Sequence, residues 1–404
     1  MKIALIYSAY PPLEEARQGD GGADYCRILA RHLAARGHEI HVVTEGGDCH
    51  LLPGETDTQA KGGITVHRVI RDWGPWAALN GQYQRLQSVL QQTGPDVILV
   101  VFPGGGLGCR YILPALVPAM QPVRPVVTSL FTFLPARKPA YAPLFLAASA
   151  FLYSQSRLIL FESMSQLKLM RLAFPFLARR CFFMPTGSTM ELRHKYAAGN
   201  TREACARIGL DPGKRYPAFL GVLRRNKNVE LFLAAARQVI AHNRDVRLLF
   251  LGGKPRQDLT SRYHRRILRL IDELGLEDAV HFTGYLDEER FNQFLLASEL
   301  CVLPFDERLG RSTLFLAMSA GLPIVTIARS AHMFLRHGES GFLVRSFDEQ
   351  SLAAAIEQVL HDPGLRERLS RGALAAAEQV SWDQLARKWA ELMQTVLVPR
   401  GCLA

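Results

Sequence analysis

The sequence predicts an α/β protein of two doubly wound domains facing a central cleft, and three observations carry that reading. Short apolar runs rich in Val, Ile, Leu and Phe alternate with longer helical patterns, the form taken by parallel sheets covered on both faces. A polar segment, Glu191 to Lys214, interrupts the alternation, which then restarts. With 404 residues and 48% hydrophobic content, the chain supplies material for two cores. The expected division is 1–190 for the first domain, 191–215 for the connection, 216–380 for the second domain and 381–404 for a final helix.

In the first domain the strands are expected at KIALIY, EIHVVT, ITVHRVI, VILVVF, PVVTSL and RLILFE. Ala23 to Arg36 reads as a helix because Ile28, Leu29 and Leu33 recur on one face. The connection carries a short helix at Arg202 to Ile208. In the second domain the strands are YPAFLGV, VRLLFLGG, AVHFTGY, ELCVLPF, PIVTI and GFLV, separated by helices at 229–242, 257–274 and 287–296. Amphipathic helices at 351–360, 365–380 and 382–396 follow, with Pro363-Gly364 breaking the first from the second.

Composition narrows the function classes. Seven cysteines, odd in number and without CxxC spacing, argue against a disulfide framework or a zinc site and favour a reducing cytoplasm. The N-terminal MKIALIY reads as a strand and not a secretory signal. The longest uncharged apolar run, Tyr141 to Tyr153, is shorter than the ~20 residues of a spanning helix. The net charge of +11 is uneven: Val97 to Met190 holds nine Lys or Arg and one acid, Glu162. The basic residues alternate with Leu, Phe, Met and Ala, and no nucleic-acid motif accompanies them. An anionic membrane surface is the expected partner of 97–190, with a merely solvated basic surface as the alternative.

Ligands of open parallel sheets bind beyond the carboxyl ends of strands. Four loops there carry candidates. GDGGADY, residues 19–25, opens a helix after the first strand, and Gly21 and Gly22 permit close backbone approach by an anion or a sugar hydroxyl. In FLGVLRRNKNVELF, Arg224, Arg225 and Lys227 precede a helix start near Asn228, where an ammonium and a helix dipole together neutralise a diphosphate. In VLPFDERLGRSTLFLAMSAGLPIVT, the segment from Pro304 to Thr326, Ser312 and Thr313 open a helix flanked by Arg308 and Arg311. Either arginine can instead pair with Asp306 or Glu307. The fourth loop is Pro185-Thr186-Gly187-Ser188, and its glycine is compatible with a plain turn. His38, in the turn GHEI, reads as structural.

Taken in order, GGADYCRILARHLAARGHEIHVVT, FFMPTGSTM, FLGVLRRNKNVELFLAAA, VHFTGYLDEE, AMSAGLPIVT, HGESGFLV and SWDQLARKW resemble the glycosyltransferases of family 4 across nearly the whole chain. The resemblance implies a GT-B fold and no cofactor or essential metal. It implies a nucleotide-diphosphate sugar on the second domain and a glycan or lipid-linked acceptor on the first, with transfer that retains anomeric configuration. It also implies a final helix around Trp382 that crosses back to the first domain. Lys227 then matches the diphosphate-binding lysine, Gly284 the loop near the base, and Gly21 and Gly22 the glycine-rich loop.

Three positions depart from the family pattern. The paired glutamates are replaced by Arg308 and Leu316, with Glu307 one residue out of register. The early Arg-Gly pair is lost at Val222, with Arg224 nearby. The histidine after PVVTSLFTF is replaced by Leu130 or Phe131. Lys227, Arg224 and Arg311 are the expected catalytic groups, acting on the leaving diphosphate. Gly21, Gly22, Gly284, Arg308, Ser312, Thr313 and Glu307 are the expected donor contacts. The expected setting is the cytoplasm, peripheral to the inner face of a membrane. A degenerate nucleotide- or partner-binding protein and a nucleotide-sugar epimerase of the same fold fit the same pattern.

Overall fold

The protein is described from a computed structural model that covers residues 1–8, 10, 21–46, 57–74, 76–77, 80–102, 112–130, 142–188, 200–221, 223–252, 262–284, 286–305, 312–328 and 333–397. The chain divides into two compact units. One comprises Met1–Thr186 with Trp382–Ala404, the other Gly187–Ser381.

The first unit holds an eight-stranded sheet. Its strands are β1 (Lys2–Ile6), β2 (Glu39–Glu45), β3 (Asp57–Lys61), β4 (Ile64–Ile70), β5 (Val97–Phe102), β6 (Val126–Leu130), β7 (Leu158–Phe161) and β8 (Cys181–Phe183). The spatial order is β3-β4-β2-β1-β5-β6-β7-β8. Every pairing is parallel except that of β3 with β4. Its helices are α1 (Gly21–Ala34), α2 (Gln82–Thr93), the short α3 (Val117–Met120), α4 (Ala142–Gln155) and α5 (Met164–Ala173), followed by a 3₁₀ segment, Pro175–Arg180. Both faces of the sheet are buried, so successive strand residues feed different cores. Ala4 and Ile6 join one cluster with Ile98, Val100 and Phe102, while Ile3 and Leu5 join the other with Val97, Leu99 and Val101.

The second unit contains α6 (Thr201–Arg207), β9 (Pro217–Leu220), α7 (Val229–His242), β10 (Leu248–Leu251), α8 (Arg262–Glu273), β11 (Val280–Gly284), α9 (Glu288–Ala297), β12 (Leu300–Leu303), α10 (Ser312–Ala320), β13 (Ile324–Ile327) and β14 (Phe342–Val344). Two helices close it, α11 (Glu349–His361) and α12 (Pro363–Glu378). Its six strands are all parallel, in the order β11-β10-β9-β12-β13-β14. The Pro363-Gly364 break is built as a helix start. Pro363 takes the first helical position, where a missing N–H costs nothing, and the Asp362 side chain accepts from the Leu365 N–H at 2.8 Å.

The last helix, α13 (Trp382–Leu397), belongs to the first unit. Trp382, Leu385, Trp389 and Met393 enter the core that holds Tyr25, Leu29 and Leu33 of α1. The rings of Tyr25 and Trp382 lie 5.5 Å apart, and Asp383 pairs with Arg36 at 3.0 Å. α1 is therefore covered by the sheet on one side and by α13 on another, which is why it buries more than the single apolar face its spacing predicts.

Differences from the sequence reading have local causes. β3, DTQAK, is an antiparallel edge strand with neither apolar alternation nor an apolar run, so no pattern marks it. β8 has three residues, too few for a period. α1 starts at Gly21, two residues before the expected Ala23, so Gly21 and Gly22 lie in its first turn and not in a loop before it. Cys26, Cys181, Cys205 and Cys301 are buried thiols. Among the described residues no helix is long and apolar enough to cross a membrane.

Candidate functional site

The strand order locates the crevice in the second unit. From β9 the chain winds outward through β10 to β11, then returns to the other side of β9 as β12. The order of winding reverses between β9 and β12, the position at which open parallel sheets hold a ligand crevice. Those loops begin at Gly221 and at Pro304.

Glycine is required at the first of them. Gly221 has φ +96°, and a Cβ would overlap the Lys227 ammonium and lie 3.6 Å from Thr313 Oγ1. Gly252, the residue after β10, with φ +103°, packs on it: a Cβ there would come 3.3 Å from Gly221 Cα. Beyond Gly221 the residues Arg225–Lys227 form one 3₁₀ turn. Asn228 follows in the left-handed region, φ 50°, a conformation that asparagine tolerates better than most residues. Its Nδ2 donates to Pro304 O at 2.7 Å and so ties the turn to the end of β12. α7 begins at the next residue.

This folding turns Lys227 back over the sheet edge. Its Nζ donates to Leu220 O at 3.3 Å and, at 3.5 Å, to Thr313 Oγ1 in the first turn of α10. It also stands 4.7 Å from the centre of the Phe305 ring, a cation–π contact, and Phe305 meets Phe219 edge-on at 5.7 Å. Among the described residues no carboxylate pairs with Lys227. Burial, with a smaller contribution from Arg224, pushes its ammonium down to about 7. A lysine held this way gains from any anion that enters beside it. The first turn of α10, whose N–H groups have no partner within the helix, lies at the same point.

The remaining expected residues divide by position. Ser312 and Thr313 open α10, and Thr313 is joined to Lys227. Arg224 is exposed on extended backbone at the head of the turn. Gly284 ends β11 with φ +67° and open space where a side chain would be, beside Thr283, whose hydroxyl donates to Phe250 O at 3.2 Å. Gly21 and Gly22 are in the other unit. Glu307, Arg308 and Arg311 lie outside the described residues, as do Val222 and Phe131. Leu316 is buried among Leu303, Leu314 and Phe315, and Leu130 is buried at the end of β6.

Phe305, Asn228 and Gly252 were not among the expected residues, although each shapes the Lys227 position. Only Asn228 carries a local signal, an asparagine at the head of a helix after a basic turn. The pocket bounded by Arg202, Lys214, Arg215, Asp245 and Glu299 lies at the amino ends of the same strands, away from this crevice. There Arg215 is held by Glu299 at 2.6 and 3.1 Å and by Leu360 O.

Two parallel-sheet units, each wound on both faces, with a cationic crevice at the switch point of the second, define the chain as a GT-B protein. Residues 19–189 match the family model described as Glycosyltransferase Family 4, and residues 214–362 match that of Glycosyl transferases group 1. The chain belongs to the group 1 glycosyltransferases of family 4. A D-inositol 3-phosphate glycosyltransferase from Acidothermus cellulolyticus is 30% identical over 194 residues, 46% of this chain and 42% of the relative. The chain spans less than half the length of the first curated relatives it matches. Among solved structures, a sucrose-phosphate synthase from Thermosynechococcus elongatus superimposes with TM-score 0.76 at 20% identity, covering 98% of each chain. Anabaena HepE in complex with UDP and glucose does so with TM-score 0.71 at 17% identity, covering 98% of this chain and 100% of that one.

Proposed function

We propose that this chain is a retaining glycosyltransferase, moving a sugar from a nucleoside-diphosphate donor to a glycan or lipid-linked acceptor. The observation that carries the reading is Lys227: a desolvated ammonium at the switch point, without a carboxylate partner among the described residues and bonded to the first turn of α10. In transfer, the bond from the anomeric carbon to the distal phosphate oxygen breaks. A bond from the acceptor oxygen to that carbon forms, and the acceptor proton passes to a phosphate oxygen of the leaving diphosphate. Lys227, the α10 terminus, Arg224 and Arg311 stabilise the charge that develops on that group. Gly284, Ser312, Thr313, Arg308 and Glu307 contact the donor. The names of the relatives, which act on inositol phosphate or bind UDP and glucose, support a nucleotide sugar as the donor class.

Isothermal titration with nucleoside diphosphates tests this. Removing a half-buried charge-assisted contact in Lys227→Ala lowers affinity by about 10- to 100-fold; unchanged affinity would falsify the assignment of Lys227. A second reading rests on Leu316 and Leu130, buried apolar residues where the family carries a carboxylate and a histidine. It is a nucleotide-binding protein without turnover. Tight diphosphate binding, with neither transfer nor donor hydrolysis for any common nucleotide sugar, selects that reading. Donor conversion in the absence of any acceptor selects an epimerase.

A further inference from the structure

The helix α4, APLFLAASAFLYSQ, has no charged residue. Its inner side, Phe145, Ala148, Leu152 and Tyr153, enters the core of the first unit. Its outer side is also apolar: Leu144 and Leu146 are 49% and 52% exposed, and Ala147, Ala150 and Phe151 share the exposed surface. Beside it, α5 and the 3₁₀ segment that follows expose Leu169, Leu172 at 81% and Phe176 at 73%. Arg180 joins the two regions by donating to Ser154 O and Ser156 O at the end of α4, at 3.0 and 3.3 Å. Lys168 and Arg179 stand exposed among these side chains, as does Arg171, whose guanidinium donates to Cys181 O at 2.7 Å, and the one acid between residues 142 and 188 is Glu162.

We infer that this face, the outer side of α4, α5 and residues 175–182, docks on an anionic lipid bilayer and lies in its interface without crossing it. The pattern is that of an interfacial surface: large apolar side chains that enter the acyl boundary, with cations among them at headgroup level. The charge decides against the other occupants of an apolar face. A symmetric dimer through this surface would bring Lys168, Arg171 and Arg179 against their own copies. An acidic protein satisfies the cations but leaves the uncharged face of α4 with little to pair, whereas lipid satisfies both. The inference does not depend on the nucleotide reading, because the surface lies on the unit that lacks Lys227.

Co-sedimentation of the full chain with vesicles tests it. The wild type is expected to bind vesicles enriched in phosphatidylglycerol and not those of phosphatidylcholine alone, and to release as salt rises. Lys168→Glu with Arg179→Glu lowers the affinity at least 25-fold, at roughly five-fold for each cation lost. Leu172→Ser with Phe176→Ser lowers it about ten-fold or more. Both pairs of residues are exposed, so the variants should melt at the wild-type temperature, and either pair alone suffices as a test. Equal binding to both vesicle types, no binding to either, or wild-type binding by a correctly melting variant overturns the proposal. So does a dimer, seen by light scattering, that Leu172→Ser with Phe176→Ser dissolves, or capture by polyglutamate in place of vesicles.

Discussion

α4 and α10 are two helices of nearly the same character placed in different surroundings. STLFLAMSA and APLFLAASAFLYSQ are both apolar around most of their circumference, and neither contains a charge. A helix of that kind is ordinarily buried on all sides. α10 obeys: Leu314, Phe315, Leu316, Ala317, Met318 and Ala320 are all inside the second unit, and its polar first turn meets Lys227. α4 does not, because the fold covers one side and leaves Leu144, Leu146 and Phe151 exposed. The same composition therefore serves two ends. In α10 it supplies a rigid dry floor that fixes one hydroxyl and a helix terminus, and in α4 it supplies a surface in need of an apolar partner.

That contrast is open to tests of decreasing size. Phe315 is buried and meets Phe334 edge-on at 4.9 Å. Phe315→Ala is expected to cost about 3–5 kcal/mol in a urea titration; a loss below about 1 kcal/mol would mean that α10 is not the packed floor described here.

Lys227 comes next. Its folded-state value, about 7, lies below the ordinary lysine value of 10.5, so the charged form is disfavoured on folding. That penalty is fully present below pH 7 and disappears as pH rises towards 10.5, because across that window the unfolded chain binds the extra proton. Lys227→Met should therefore stabilise the protein by on the order of 1–2 kcal/mol at pH 6, fading towards zero at high pH, while losing diphosphate affinity. A variant less stable than wild type at pH 6 would show that the lysine is favourably placed without an anion.

The smallest effect belongs to α4. Leu146→Ser should change stability in solution by no more than about 0.5 kcal/mol, as at other exposed positions. A larger loss would mean that its outer side is already covered.

Much of the fold was legible locally. Each expected strand appears within a residue or two, because most are buried on both faces and leave a short continuous apolar run whatever their neighbours are. β3 and β8 escaped for the converse reason: one is polar and on an edge, the other three residues long. In the site, Lys227 and Thr313 were legible as a cation before one helix and a hydroxyl at the start of another. Phe305 was not, and of Asn228 only its place at a helix start was, since their roles depend on contacts across 76 or more residues, from Asn228 to Pro304 O and from Phe305 to the Lys227 ammonium.

The segment from Pro304 to Thr326 separates the two kinds of information. Alternating period and length determined, from sequence alone, its strand end, its apolar helix and its second strand. That its helix opens onto Lys227 was decided by the strand order, which sets β12 beside β9. Gly221, against which Gly252 packs from beyond β10, then leaves the space in which one ammonium reaches Leu220, Phe305 and Thr313 together. The exposure of α4 was decided in the same way. Its sequence states how apolar the helix is, but how much of that surface the rest of the chain covers is a property of the packed unit.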